Sequence, residues 1–145
     1  MNAAAGTRAL GVDLGERRIG LALSDPSRTV ASPHEVLRRG GDPAADRHAI
    51  VDAARRQGAS VIVVGLPLSL SGRSGPAARA AREEVEALRA VAGDIEVTLH
   101  DERLTTVTAE RALAEARMGR EARRDVVDKV AAAVMLQSWL ERARP

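Results

Sequence analysis

Acidic side chains stand at the ends of two predicted strands and at the start of the predicted last helix. Asp13 closes the first strand, Asp101 and Glu102 close the last strand, and Asp125 and Asp128 open the final helix. Carboxylates from three separated elements are a common way to hold Mg²⁺, which prefers oxygen ligands and keeps waters that phosphate oxygens can replace. Two such ions, about 4 Å apart, can activate a water and stabilise the leaving oxygen in phosphodiester hydrolysis. The acids therefore predict a metal site for phosphate chemistry.

The segment around Asp13 predicts a β-hairpin whose turn lies beside the acid. Two short apolar runs with period-two alternation, within residues 8–24, flank a turn that contains glycine and charge. Because Gly11 and Gly15 have no side chains, we expect the backbone on either side of Asp13 to approach a bulky anion closely. The carboxylate would hold a hard cation against that anion.

The other acids each have a structural alternative. Asp125 or Asp128 can cap the last helix or complement its dipole, and the acids at 101 and 102 can simply bound a strand. Strand alternation puts Glu102 on the face of His100 and Asp101 on the opposite face, so only one of the two can point into a given site. His100 is either a strand histidine satisfied by hydrogen bonds or a proton carrier beside the metal.

Arginine supplies nearly all of the positive charge. Lys129 is the single lysine among 22 basic residues, and the net charge is +2. The planar arginine fork matches phosphate oxygens, although a GC-rich genome also favours arginine codons. Seven arginines near the predicted site favour the first explanation, and we expect them to bind nucleic acid: Arg17, Arg18, Arg73, Arg103, Arg120, Arg123 and Arg124. Trp139 is the one aromatic residue, so a row of base-stacking platforms is excluded.

Three further strands are predicted after the hairpin. A third strand over 30–37 completes an antiparallel meander, and Pro33 fits best on an edge strand or an irregular strand. The all-apolar, β-branched run within 60–65 indicates a strand covered on both faces. The last strand is expected over 95–100. Ligands gather at the carboxyl ends of such strands, which is where the acids stand.

Helical spacing and helix-ending residues predict four helices. They cover 43–57, 76–91, 105–118 and 125–142, and a basic link over 119–124 precedes the last one. The resulting order, β-β-β-α-β-α-β-α-α, requires parallel strands joined by right-handed helical crossovers. The fold class is therefore α/β, with a mixed sheet of an antiparallel three-strand meander and parallel strands, flanked by helices.

Length and composition bound the class of protein. At 145 residues with 45% apolar residues, the chain is expected to form a single domain over 1–145, with residues 1–7 and 143–145 flexible. The absence of cysteine excludes disulfides and thiolate metal sites. The sequence shows no leader pattern and no membrane span, so no membrane partner and a cytoplasmic location are expected.

Four motifs in order resemble the YqgF family, also called RuvX. They are Gly11-Val12-Asp13-Leu14-Gly15 with Ile19-Gly20-Leu21-Ala22, then Val64-Gly65-Leu66-Pro67-Leu68 with Gly72, then Asp101-Glu102-Arg103-Leu104-Thr105-Thr106, and finally Asp128-Lys129-Val130-Ala131-Ala132. The resemblance implies a ribonuclease H-like fold related to Holliday-junction resolvases. It also implies a nuclease that matures the precursor of small-subunit (16S) ribosomal RNA.

The same resemblance implies a catalytic role for three acids. Asp13, Glu102 and Asp128 match the metal-binding acids of the family, which would hold Mg²⁺ or Mn²⁺. Asp125 lies outside the family motif, and Asp101 is adjacent to the matching acid Glu102. Neither is therefore one of the three matching acids, and both remain candidates for a further ligand.

Several alternatives stay open at the level of sequence. The substrate is either a ribosomal RNA precursor or branched DNA, and the protein is either a monomer or a homodimer. A catalytically silent nucleic-acid-binding factor, associated with the ribosome, is an alternative of another class. The hairpin of Asp13 also resembles the phosphate-binding element of sugar kinases and actin-like ATPases, but those enzymes close two related domains over ATP, and this chain provides one.

Overall fold

The computed structural model describes residues 7–15, 17–66, 76–101 and 120–143. Its strands are β1 (Arg8–Leu14), β2 (Arg18–Ser24), β3 (Ala31–Arg38), β4 (Ala59–Leu66) and β5 (Glu96–Asp101). The described helices are α1 (Pro43–Arg56), α2 (Pro76–Ala92) and α3 (Arg120–Ala143). These bounds confirm the predicted strands and the first two helices to within one or two residues. The helix predicted over 105–118 lies outside the described residues, as do residues 1–6 and 144–145 at the two ends.

The five strands form one mixed sheet in the order β3-β2-β1-β4-β5. Both β1–β2 and β2–β3 pair antiparallel, whereas β1–β4 and β4–β5 pair parallel, as the element order predicts. Pro33 lies on the edge strand β3, at a register irregularity where it opposes Ala22. An edge strand tolerates proline because the missing N–H costs no ladder hydrogen bond on the open side. The predicted edge position is confirmed.

Strand β4 shows why the sheet is covered on both faces. Ile62 and Val64 are fully buried in a cluster with α1 and α2, whereas Val61 and Val63 are buried in a second cluster with α3. Because successive strand residues point to opposite faces, an apolar run is needed when helices cover both. None of the described helices is both long and apolar enough to cross a membrane.

Helix α3 begins earlier than the sequence predicts. The expected basic link over 119–124 is wrong for 120–124, because α3 is already helical from Arg120. Arginine, glutamate and alanine fill these five positions, and all three are good helix formers without a breaker between them. Asp125 is consequently not the first residue of the helix, and it lies in its second turn.

Helix α1 is fixed at both ends and to its neighbour. Asp42 caps it, since its Oδ1 accepts a hydrogen bond from the Ala44 N–H at 3.1 Å. Gly58 follows the helix at φ +72°, a conformation that favours glycine. Arg47 joins α1 to α2 through a two-pronged ion pair with Glu84, at 2.8 and 3.2 Å, and this acceptor raises the pKa of the guanidinium above its usual value.

Candidate active site

Asp13 lies on β1 at the carboxyl end of the strand, in partly buried surroundings. Its cross-strand partner on β2 is Gly20. Opposed residues of an antiparallel pair project to the same face of the sheet, with their Cα atoms about 5 Å apart. The direction in which a side chain on Gly20 would point therefore also gives the direction of the Asp13 carboxylate.

That direction leads to Asp128 on α3. A Cβ built on Gly20 would overlap the carbonyl group of Asp128 and would lie 3.1 Å from the backbone nitrogen of Lys129. The helix thus crosses β2 in direct contact with the backbone of Gly20. Asp13 and Asp128, which are 115 positions apart in the sequence, come from opposite ends of the chain to one place, and both are partly buried.

Strand register adds a glycine on the other side of Asp13. Val12 pairs with Val64 of β4, so Gly65 stands at the level of Asp13, and Gly65 in turn pairs with His100 of β5. The row across the sheet is therefore glycine, aspartate, glycine, histidine. Neither neighbouring strand places a side chain beside the Asp13 carboxylate at this level, and the space over Gly20 is taken by the backbone of Asp128.

His100 is buried, with 6% of its surface exposed. Its Nε2 lies 3.1 Å from the Oγ of Ser138, which joins β5 to α3. This contact confirms that His100 is a strand histidine satisfied by hydrogen bonding, and it puts His100 on the side of the sheet that α3 covers. Sequence reasoning did not single out Ser138, because nothing near it in the chain marks a partner 38 positions away.

The structure gives Gly11 and Gly15 packing roles. A Cβ on Gly11 would lie 2.9 Å from the Cβ of Leu136 on α3, and one on Gly15 would lie 2.6 Å from the carbonyl oxygen of Arg18. The expectation that Gly11 and Gly15 admit an anion to the backbone is therefore wrong. These glycines instead let α3 and the hairpin turn approach β1.

The remaining predicted acids are located only in part. Asp101 ends β5 and Asp125 lies on α3 one turn before Asp128, whereas Glu102 lies outside the described residues. Within the described part of the chain, no group of three or more potential metal-ligating side chains is found. The three-acid set of Asp13, Glu102 and Asp128 thus stays a prediction.

Some of the predicted phosphate-binding arginines lie within the described residues, and others lie outside them. Arg17 and Arg18 lie at the start of β2, beside the Asp13–Gly20 pair. The backbones of Arg120, Arg123 and Arg124 lie on the first turns of α3, ahead of Asp128. Arg73 and Arg103 lie outside the described residues.

Sequence reasoning missed two basic residues at the same end of the sheet. Arg38 and Arg39, at the end of β3, line a cleft together with Arg17 and Arg18. The signal that could have found them is the pairing of predicted strands two and three, which brings two Arg-Arg pairs to one end of the meander.

A family model described as "RuvX: Holliday junction resolvase" matches residues 7–142. The chain belongs to the RuvX family. Relatives named "Putative pre-16S rRNA nuclease" include those of Gluconobacter oxydans, 48% identical over 97% of this chain and 87% of its own length, and of Nocardioides, 46% identical over 97% and 90%. The relative from Mycobacterium strain KMS is 42% identical over 94% and 81%.

The fold of this RuvX member is similar to that of RuvC. The structure of Thermus thermophilus RuvC with a Holliday junction substrate matches with a TM-score of 0.57 and 16% identity, over 94% of each chain. A second structure of Thermus thermophilus RuvC matches with a TM-score of 0.54, over 93% of this chain and 95% of that one. The predicted ribonuclease H-like fold is confirmed.

Proposed function

We propose that this RuvX member is a metal-dependent nuclease that hydrolyses phosphodiester bonds in the 5′ region of pre-16S ribosomal RNA, in the cytoplasm. The observation that carries the proposal is that Asp13 pairs with Gly20 and the backbone of Asp128 contacts the same glycine, which brings two acidic residues from separate elements to the carboxyl end of β1. The names of relatives at 42–48% identity support this substrate.

The donor set fits a hard divalent cation. Two acidic residues on one side of the sheet provide the oxygen ligands that Mg²⁺ and Mn²⁺ prefer. Asp13, Glu102 and Asp128 would hold the metal. When bound, it neutralises charge on the phosphodiester and acidifies a water.

Strand alternation favours Glu102 over Asp101 as the third ligand. His100 faces α3, as its hydrogen bond to Ser138 shows, whereas Leu99 packs with the cluster on the opposite face. A residue two positions after His100 in an extended chain shares its face. We therefore assign Glu102 to the site of Asp13 and Asp128, and we leave Asp101 and Asp125 outside it.

The chain's own residues contribute positioning and charge. Backbone contact with Gly20 holds the α3 backbone at Asp128, and ladder pairing with the same glycine holds β1 at Asp13. Arg17 and Arg18 add positive charge at the same edge, where they would bind phosphates of the RNA.

The test compares the parent protein with Asp13→Asn and Asp128→Asn, which keep side-chain shape and remove charge. The substrate is a pre-16S RNA fragment that spans the mature 5′ end, in saturating Mg²⁺. We expect each variant to cut roughly a thousandfold more slowly, because loss of a metal ligand removes several kcal/mol of transition-state stabilisation. Asp94→Asn is the matched control, since Asp94 is exposed near the start of β5, and it should cut at the parent rate.

Cleavage at the parent rate by Asp13→Asn, in protein free of contaminating nuclease, would refute the assignment. Binding of the RNA without any cleavage by the parent would instead support the silent binding factor.

A second candidate function is resolution of branched DNA, which the description of the family favours. A four-way junction assayed beside the RNA, with the same variants, separates the two. Junction resolution needs two active sites with two-fold symmetry, so it also predicts a homodimer by light scattering, whereas a monomer suffices for RNA. Faster cutting of the junction than of the RNA would move the assignment to DNA.

A further inference from the structure

Four arginines line an open cleft of about 550 Å³ at one end of the sheet. Arg18 begins β2 and Arg17 directly precedes it, whereas Arg38 ends β3 and Arg39 directly follows it. The first turn of α1 forms another wall of the cleft, and Gly41, Pro43 and Asp46 complete the lining of the cleft. We call it the arginine cleft.

Strand pairing brings the arginines together. Arg18 and Arg38 are directly opposed in the antiparallel ladder, and the N–H of Arg39 donates to the carbonyl oxygen of Arg17 at 2.9 Å. Like charges opposite each other destabilise a sheet. Asp46 is the single carboxylate among the described residues of the lining, which is otherwise rich in arginine. Side chains of this type attract an anionic ligand.

The Nε of Arg39 provides a second, independent observation. It is shielded from solvent, and no acceptor among the described residues hydrogen-bonds it. A buried donor without a partner costs free energy, which a turn of the Arg39 side chain toward a ligand oxygen in the cleft would recover. The nearby end of α1 does not account for the cleft, because Asp42 already caps that helix.

The cleft lies at the same end of the sheet as Asp13. Arg18 is two residues before Gly20, the cross-strand partner of Asp13, and β3 is the next strand outward. With strands about 4.8 Å apart, β2 and β3 lie roughly 5 and 10 Å from β1 across the sheet. A stacked strand advances about 3.4 Å per nucleotide, so the cleft is roughly one to three nucleotides from a phosphate held at Asp13.

We propose that the arginine cleft binds backbone phosphates of the nucleic-acid strand that flanks the scissile bond. This inference rests on the proposed function, because that function supplies a nucleic-acid substrate. The fork of arginine fits phosphate oxygens in two-pronged geometry, and the described lining residues include no aromatic side chain on which a base could stack. The cleft therefore positions substrate without reading its sequence.

The test measures binding of single-stranded RNA to the full chain as salt is varied, in metal-free buffer. No cutting occurs under these conditions, so failure of the nuclease hypothesis leaves the measurement intact. Arg38→Gln/Arg39→Gln removes two guanidinium groups, and each lost phosphate contact reduces the log-log salt slope by about 0.7. We expect weaker binding to RNA of any sequence and a slope flatter by about 1.4.

Two further variants make the result specific. Arg17→Gln/Arg38→Gln changes only exposed side chains, and it should give the same flattening even if Arg39 proves necessary for folding. Arg56→Gln/Arg142→Gln is the charge-matched control. Both residues are exposed. Arg56 lies about 20 Å along α1 from Pro43 of the cleft, and Arg142 lies about 20 Å along α3 from Asp128, so this variant should keep the parent slope.

An unchanged slope in both cleft variants, or equal flattening in the control, would overturn the proposal. Competition by inorganic phosphate distinguishes a strand from a small anion. We expect unlabelled RNA to displace bound RNA far better than inorganic phosphate at equal phosphate concentration. Equal displacement would assign the cleft to small anions instead.

Discussion

The backbone of Gly20 on β2 lies in direct contact with the backbone of Asp128 on α3. An added Cβ would meet the Asp128 carbonyl group, which is backbone and cannot rotate away as a side chain can. Since Gly20 is also the ladder partner of Asp13, this contact sets the relative position of the two acids.

Replacement of Gly20 by alanine should therefore both destabilise the protein and abolish cleavage. We expect the free energy of unfolding to fall by about 3 kcal/mol, because overpacking against rigid backbone forces α3 to shift. Gly40→Ala is the control, since an added Cβ there meets nothing within 4 Å. Urea denaturation measures both changes in stability, and similar midpoints for the two variants would contradict the contact.

Mg²⁺ should raise the melting temperature, because a cation that binds the folded site and not the unfolded chain stabilises the fold. With a dissociation constant of about 1 mM, 10 mM Mg²⁺ adds roughly 1.4 kcal/mol, or about 4 °C for a domain of this size. Asp13→Asn should lose most of this shift, and Asp94→Asn should retain it. Equal shifts in Asp13→Asn and the parent, measured by calorimetry, would place cation binding elsewhere.

The turn between β2 and β3 should make the protein sensitive to acid. The hydroxyl of Ser27 and the backbone N–H groups of Val30 and Thr29 all donate to the Asp25 carboxylate, and they lower its pKa below the ordinary 3.8. Because the folded pKa is the lower one, this contribution to stability is present above about pH 4. This contribution is lost progressively as the pH falls below the ordinary pKa of an aspartate carboxyl group.

Asp25→Asn should thus be less stable than the parent at pH 7 and should lose less stability between about pH 5 and pH 2. The substituted asparagine keeps the size of the side chain but cannot be a carboxylate. The measurement is the urea midpoint at each pH. A constant difference between variant and parent across this range would exclude Asp25 as a source of the acid sensitivity.

Local patterns in the sequence were sufficient for much of the fold. The β-branched run within 60–65 predicted a strand buried on both faces, and Pro33 predicted an edge strand, because each property depends on neighbours one or two positions away. The positions of Asp13 and Asp101 at strand ends followed from the same alternation.

Other features depended on packing between distant segments. The sequence predicted the start of α3 five residues too late. The charged residues within 120–124 have no apolar pattern of their own, so they resemble a link, and only the structure shows that they form the first turns of the helix. The packing roles of Gly11 and Gly15 were missed because α3 and the turn that contact them were unknown.

The sequence by itself determined the chemistry available to this RuvX member: carboxylates after strands, arginine in place of lysine, and motifs sufficient to identify the family. Only the tertiary structure decided which of these groups meet. The close approach of Gly20 and Asp128 spans 108 positions, and two Arg-Arg pairs share a cleft only because β2 and β3 pair in one register. Such contacts arise from the packing of a helix across a whole sheet and from ladder register, which no local pattern encodes.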